Sequence, residues 1–202
     1  MANKVSIRTL QTELKKLRKE NQDLSEELSL LRSSVRAVRA LQELIDSLSP
    51  DVDVIAWIDE LLASALAAVA AKDGSLILRD EDTGELVFAV VHGEARDRLT
   101  GYRMPPTEGI AGWVVKNRLP DIVQDPCSDP RFNAAVDEML GFRTRSIACV
   151  PLVVGGQVLG VIEAINKDSD REFTQQDQDL MMVVANLASL GLSRAESFVE
   201  KT

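Results

Sequence analysis

Few residues in this sequence could do chemistry, and most of them are alone. The two cysteines, Cys127 and Cys149, lack a CxxC spacing, and His92 is the only histidine. That set supplies neither a zinc site nor a disulfide framework. Cys149 falls within an apolar run and reads as a core residue. Cys127 falls in a loop and reads as exposed. A lone histidine at a strand end is more often a surface or capping residue than an axial ligand. No paired carboxylates, Ser/His/Asp set or phosphate loop stand at usable spacing, so the chain reads as non-catalytic. The best-placed charges are Lys167 and Asp177, ten residues apart. Lys167 sits at the end of a strand and Asp177 in the first turn of a helix, where a carboxylate is favoured. The spacing predicts an ion pair that ties the two elements together. Arg131, Phe132, Arg143 and Arg145 form a second cluster. They suit an anionic ligand at a pocket mouth, or ordinary surface pairing with Asp125, Asp129 or Glu138.

The elements that must position these residues follow from periodicity. With Ile7 at heptad position a, the a positions are Ile7, Leu14, Asn21, Leu28, Val35 and Gln42. The d positions are Leu10, Leu17, Leu24, Leu31, Val38 and Ile45. This 3–4 spacing predicts a coiled-coil rod about 60 Å long over residues 1–49. A single Asn21 in an apolar seam finds its partner in the same residue of an in-register parallel chain. Glu13 opposite Arg18 and Glu27 opposite Arg32 give attractive pairs in the same arrangement. The expectation is a parallel homodimer.

Ser49-Pro50-Asp51 ends the rod, and residues 50–202 read as one domain. A helix is expected over 53–71, capped by Asp51 or Asp53. Strands follow at 75–79 and 86–91, joined by a turn ending at Gly84. A short helix at 109–117 precedes a strand at 121–123 and a helix at 129–140 closed by Gly141. Strands 146–154 and 158–166 form a hairpin about Gly155-Gly156. Their unbroken Val, Ile and Leu runs predict central strands covered on both faces. A last helix spans 175–198, with Thr174 and Asp177 close to a capping box. Antiparallel hairpins with helices at both ends define the class as α+β.

Composition narrows the function. Hydrophobic residues make up 45% of the chain and aromatic residues 4%, too few for a base-stacking surface. The net charge is −9; residues 1–50 carry +2, which leaves −11 on the rest. An acidic domain disfavours nucleic acid and anionic membrane as partners. The start is polar and no apolar run approaches the ~20 residues of a membrane span. A cytoplasmic protein is expected.

Together these segments resemble a GAF domain. Pro106 to Val115 is similar to that family's GxxGxxV segment. Asp125-Pro126 with Asp129-Pro130-Arg131-Phe132 resembles its next loop. Ile147 to Leu152, Gly155-Gly156 and Val158 to Ile162 resemble its central hairpin. The resemblance implies a GAF-like antiparallel sheet of about six strands, helices of both chain ends on one face and a ligand cavity on the other. It also implies a regulatory role in signalling, through a downstream protein. Asn166, Lys167, Phe173 and Asp177 match the N-K-x(n)-F-x3-D-E motif of the cyclic-nucleotide-binding branch. Gln178 stands where that motif has Glu. The implied ligand is cyclic AMP or cyclic GMP, with Lys167 and Asp177 supporting the pocket. The alternative is a ligand-free scaffold. Methionine sulfoxide reductases of this fold carry a cysteine in the GxxG segment; here that place is Ala111, so no redox turnover is expected.

The seam of Leu10, Leu14, Leu17, Asn21, Leu24, Leu28 and Leu31 generates a test. Asn21→Leu is expected to raise thermal stability while loosening control of oligomer number. Light scattering reads this directly. A monomer at micromolar concentration counts against the homodimer.

Overall fold

The computed structural model describes residues 9–22, 24, 25, 28, 35, 39, 43, 53–168 and 171–199. The chain divides into two compact units, Met1–Arg36 and Ala37–Thr202. In the first, helix α1 covers 9–22, and Leu24, Ser25 and Leu28 are also helical. Leu10, Leu14, Leu17, Leu24 and Leu28 are 51–63% exposed, so this apolar stripe is uncovered in the single chain. Asn21 accepts a hydrogen bond at its carbonyl from the Ser25 hydroxyl. Leu31 lies outside the described residues.

The second unit runs α2 (Val54–Ala68), β1 (Ala71–Arg79), β2 (Leu86–His92), α3 (Arg96–Leu99), β3 (Arg103–Met104), α4 (Gly109–Asn117), β4 (Asp121–Val123), α5 (Ala134–Leu140), β5 (Ile147–Val154), β6 (Gln157–Lys167) and α6 (Gln175–Val199). The six strands form one sheet in the order β3-β2-β1-β6-β5-β4, and every neighbouring pair is antiparallel. Side chains alternate between its faces. Leu76, Val150 and Ile162 pack with Trp57, Leu61 and Leu62 of α2 and Met181 and Val184 of α6. Ile77, Cys149 and Val161 pack on the other face with Ile110 and Val114 of α4, Leu99 and Leu140. The continuous apolar runs of β5 and β6 are thereby covered on both sides, as a central hairpin requires.

Three boundaries differ from the periodicity reading. Helix α2 stops at Ala68, Ala70 turns into the left-handed region at φ 54°, and β1 begins at Ala71. Pairing of Ala71 with Lys167 and Asp73 with Ile165 overrides the helix preference of the alanine run. The helix expected from Asp129 begins at Ala134, capped by the Asn133 side chain. Pro126–Ser128 forms a 3-10 turn instead, and Asp129 turns its carboxylate on Arg131. Short α3 and β3 carry too few residues for a periodic signal.

The β1–β6 contact depends on Gly160. A Cβ there would lie 2.1 Å from the carbonyl oxygen of Ile77, a backbone atom that cannot step aside. Gly160→Ala is expected to destabilise the domain by about 3 kcal/mol, the upper end for overpacking. Urea unfolding measures the loss; a change near zero would show the strands can separate locally.

Candidate functional site

A cavity opens on the sheet face covered by α3, α4 and α5. Its floor is the middle of the sheet, at Ser75 of β1 and Glu163 of β6. Its walls include Phe88, Ile110, Ala111, Phe132 and Phe142. Its volume is about 90 Å3. The lining holds three carboxyl groups, Asp73, Asp137 and Glu163, together with His92, and contains no lysine or arginine.

Glu163 is the chemically unusual group. It is 8% exposed and sits in register with Ser75 on one side and Cys149 on the other. The Ser75 hydroxyl donates to its Oε2 at 3.3 Å, and the Cys149 thiol also bonds to the carboxyl. These two donors do not offset its removal from water, and burial pushes Glu163 up to about 7. Burial first, and then the neighbouring Glu163, raise the Cys149 thiol well above its usual range. Cys149 is therefore a core thiol and not a nucleophile. Burial likewise raises Asp73, partly countered by its bond from the Glu94 backbone N–H. Asp137 is already engaged, accepting from the backbone N–H and hydroxyl of Thr144, each at 2.7 Å.

The motif residues Asn166, Lys167, Phe173 and Asp177 are outside the cavity lining and join the end of β6 to the start of α6. Lys167 Nζ donates to Asp177 Oδ2 at 2.5 Å, and the two side chains are 13% and 9% exposed. The same oxygen accepts from the backbone N–H and hydroxyl of Thr174, which in turn accepts from the Asp177 N–H. A reciprocal cap and an ion pair thus meet on one carboxylate and fasten the start of α6 to the end of β6. Lys167 also stands over the Phe173 ring at 6.0 Å. Asn166 adopts φ 55°, a left-handed conformation that Asn tolerates. Its side chain accepts from the Arg145 N–H and donates to the Arg143 carbonyl, which fixes the segment leading into β5.

Of the expected mouth residues, Phe132 lines the cavity. Arg131 is outside the lining; it pairs with Asp121 and Asp129 at 2.6 Å each and stacks 4.7 Å over Trp113. Arg145 is exposed and also outside the lining. His92 is bonded through Nε2 to Asp59 of α2 at 3.1 Å, and Arg96 of α3 reaches the same oxygen. The Arg98 guanidinium donates to the Leu140 carbonyl, a clasp between α3 and α5. Cys127 is exposed. Among the described residues no cluster of His, Cys, Asp or Glu could hold a metal ion, and no helix is long and apolar enough to cross a membrane.

Glu163 escaped the sequence reading. Its signal was available: one ionisable residue inside the apolar run from Val158 to Ile165.

A six-stranded antiparallel sheet with end helices on one face and a cavity under short helices on the other defines the class of fold as that of a GAF-type regulatory domain. The GAF domain family model matches residues 53–192, and this chain belongs to the GAF domain family. It is 31% identical over 137 residues to the probable 3',5'-cyclic phosphodiesterase pde-5 of Caenorhabditis elegans, covering 67% of this chain and 18% of that protein. It is 30% identical over 167 residues to the dual 3',5'-cyclic-AMP and -GMP phosphodiesterase 11A of Takifugu rubripes, covering 77% and 18%. The chain thus spans under a fifth of the length of these relatives. Among solved structures, the GAF domain of a phosphoenolpyruvate-protein phosphotransferase from Coxiella burnetii superposes with a TM-score of 0.72 at 16% identity, covering 82% of this chain and 96% of that one.

The raised Glu163 pKa fixes the sign of a pH dependence. Between its ordinary 4.5 and about 7, the folded state keeps a proton that the unfolded chain releases. The stability this proton confers is full below 4.5 and is lost as pH rises through 7. The loss amounts to about 3 kcal/mol. Glu163→Gln keeps the shape and removes the titration. Unfolding free energies measured across this window are expected to fall with pH in the native protein and to lose most of that slope in the variant. Equal slopes would show that Glu163 is not the titrating group.

Proposed function

We propose that this chain is a non-catalytic regulatory module whose cavity binds a small molecule, with cyclic AMP or cyclic GMP as the first candidates. Two such domains, held as a homodimer by the N-terminal heptads, relay occupancy to a downstream signalling protein. The observation that carries the ligand class is the cavity's two polar ends. At one end Gly109, Ile110 and Ala111 of α4 line it, and Glu108 gives that helix no side-chain cap. First-turn N–H groups are suited to a phosphate. At the other end Glu163 offers acceptors to a base or ribose donor. Aromatic and aliphatic walls lie between. The cyclic phosphodiesterase relatives and the Lys167–Asp177 brace support the same reading.

At about 90 Å3 the closed cavity is smaller than the ~300–1,000 Å3 of small-molecule sites. A nucleotide enters as α3 and α5 move outward. Each of these helices anchors itself by one buried residue, Leu99 and Leu140, so opening exposes little apolar surface and breaks the Arg98 clasp. The end helices then report the change. His92 and Arg96 hold α2 through Asp59, and Lys167 holds α6 through Asp177.

Calorimetry with cyclic AMP and cyclic GMP tests the proposal, and saturating ligand at ~100 times Kd raises stability by about 2.7 kcal/mol. Lys167→Ala strands a buried carboxylate and is expected to cost about 3 kcal/mol of stability, the lower end for a broken buried pair because Thr174 still serves Asp177. Ligand affinity falls several-fold with it. No heat and no thermal shift at millimolar nucleotide would retire the nucleotide and favour the ligand-free scaffold.

A further inference from the structure

A second concavity, of about 400 Å3, lies at the opposite end of the sheet from the brace, where β1 ends, the β5–β6 hairpin turns and α4 terminates. Half-buried Leu78, Val115 and Leu159 contribute apolar surface, and Arg79, Lys116 and Arg118 surround it with Glu81 as the one acid. The charge is anomalous for its setting. Residues 51–202 carry −11, and six of the twelve cations with described side chains there are spent on acids or carbonyls: Lys72, Arg96, Arg98, Arg103, Arg131 and Lys167. Arg79, Lys116 and Arg118 are exposed and, among the described residues, make no side-chain hydrogen bond or ion pair. Carboxylates are abundant in this domain, yet three unpaired cations gather at one groove.

Arg118 adds a second, independent observation. It occupies the left-handed position that ends α4, at φ 58°, where a side chain other than Gly or Asn is strained. Helix α5 ends at the same kind of position with Gly141. At α4 the same position carries a guanidinium. Lys116 in the last turn compensates the helix dipole, but that argument does not reach Arg79, which stands on β1. Next in the chain is Leu119, 57% exposed, an apolar residue beside the cations.

We propose that this groove docks an acidic, amphipathic segment of a partner protein, its carboxylates on Arg79, Lys116 and Arg118 and its apolar side chains on Leu78, Val115 and Leu159. Charge complementarity selects such a partner from others, since like-signed segments are repelled by the cations and neutral ones gain nothing from them. Glu81 sets the register by repelling an acid placed next to it. The proposal is independent of whatever fills the cavity under α4.

The test uses the full chain and a fluorescent peptide of alternating glutamate and leucine, with a lysine–leucine peptide of equal length as control. Saturable anisotropy is expected for the acidic peptide alone, weakening steeply with salt. The triple variant Arg79→Ala, Lys116→Ala, Arg118→Asn is expected to weaken binding about tenfold, the sum of three exposed pairs. Asn is chosen at 118 because it accepts the left-handed backbone. An unchanged melting temperature shows that the variant is folded. Equal binding by variant and native protein, equal binding of the lysine peptide, or no binding at low salt would overturn the proposal. So would binding to phosphatidylserine vesicles, but not to the peptide, that the triple variant abolishes; that result assigns the groove to a lipid surface.

Discussion

The antiparallel pairing of β6 with β1 on one side and β5 on the other is the constraint on which the rest of this domain depends. It fixes which residues face which core. Ile162 and Ala164 go under the end helices, and Val161 goes toward the cavity together with Glu163. A slip of one residue would put the carboxyl among Leu61, Leu62 and Met181 and turn Ile162 into the cavity. Gly160 prevents such a slip by allowing an approach that only a residue without Cβ accommodates. The strand also ends decisively, because Asn166 turns left-handed and spends its side chain on the segment leading into β5.

Buried charge is treated in two opposite ways along this one strand. At its end, Lys167 is matched by Asp177, and the same carboxylate oxygen also accepts from Thr174. Such a pair acts as a fastener. Glu163, four residues earlier, faces only a serine hydroxyl and a thiol, and its ionised form lacks a counter-charge. That imbalance makes the cavity floor responsive: a proton or a ligand donor each relieves it. Arg131 shows the fastening pattern again, with two aspartates on one guanidinium and an aromatic face beneath it. It is structural for the same reason that Lys167 is.

Polar contacts hold both end helices to the sheet side of the domain, and one of them starts from His92 in the cavity lining. His92 and Arg96 converge on Asp59 of α2, while Lys167 reaches Asp177 of α6. In the proposed module these contacts are what a moving wall would pull on. Coupling of this kind needs a discrete rearrangement at each end, and the Arg98 clasp on the Leu140 carbonyl is a contact that is either made or broken.

Much of this was legible in the sequence, because period and punctuation are local. The central hairpin announced itself by two apolar runs about Gly155-Gly156, and the last helix by Thr174 and Asp177, whose reciprocal cap forms as the spacing suggested. The Lys167–Asp177 contact was also readable, since a strand end and a helix start ten residues apart leave little freedom for two opposite charges. What the sequence could not decide depends on partners distant in the chain. Ala71 joins a strand because Lys167 is across from it, against the preference of the alanine run. Asp59 meets His92 across 33 residues, and Ser75 meets Glu163 across 88. Arg131 is removed from the cavity by Asp121, a residue on a different element. A carboxyl is ordinary or strained according to what surrounds it in space, and in Glu163 only the folded sheet supplies those surroundings.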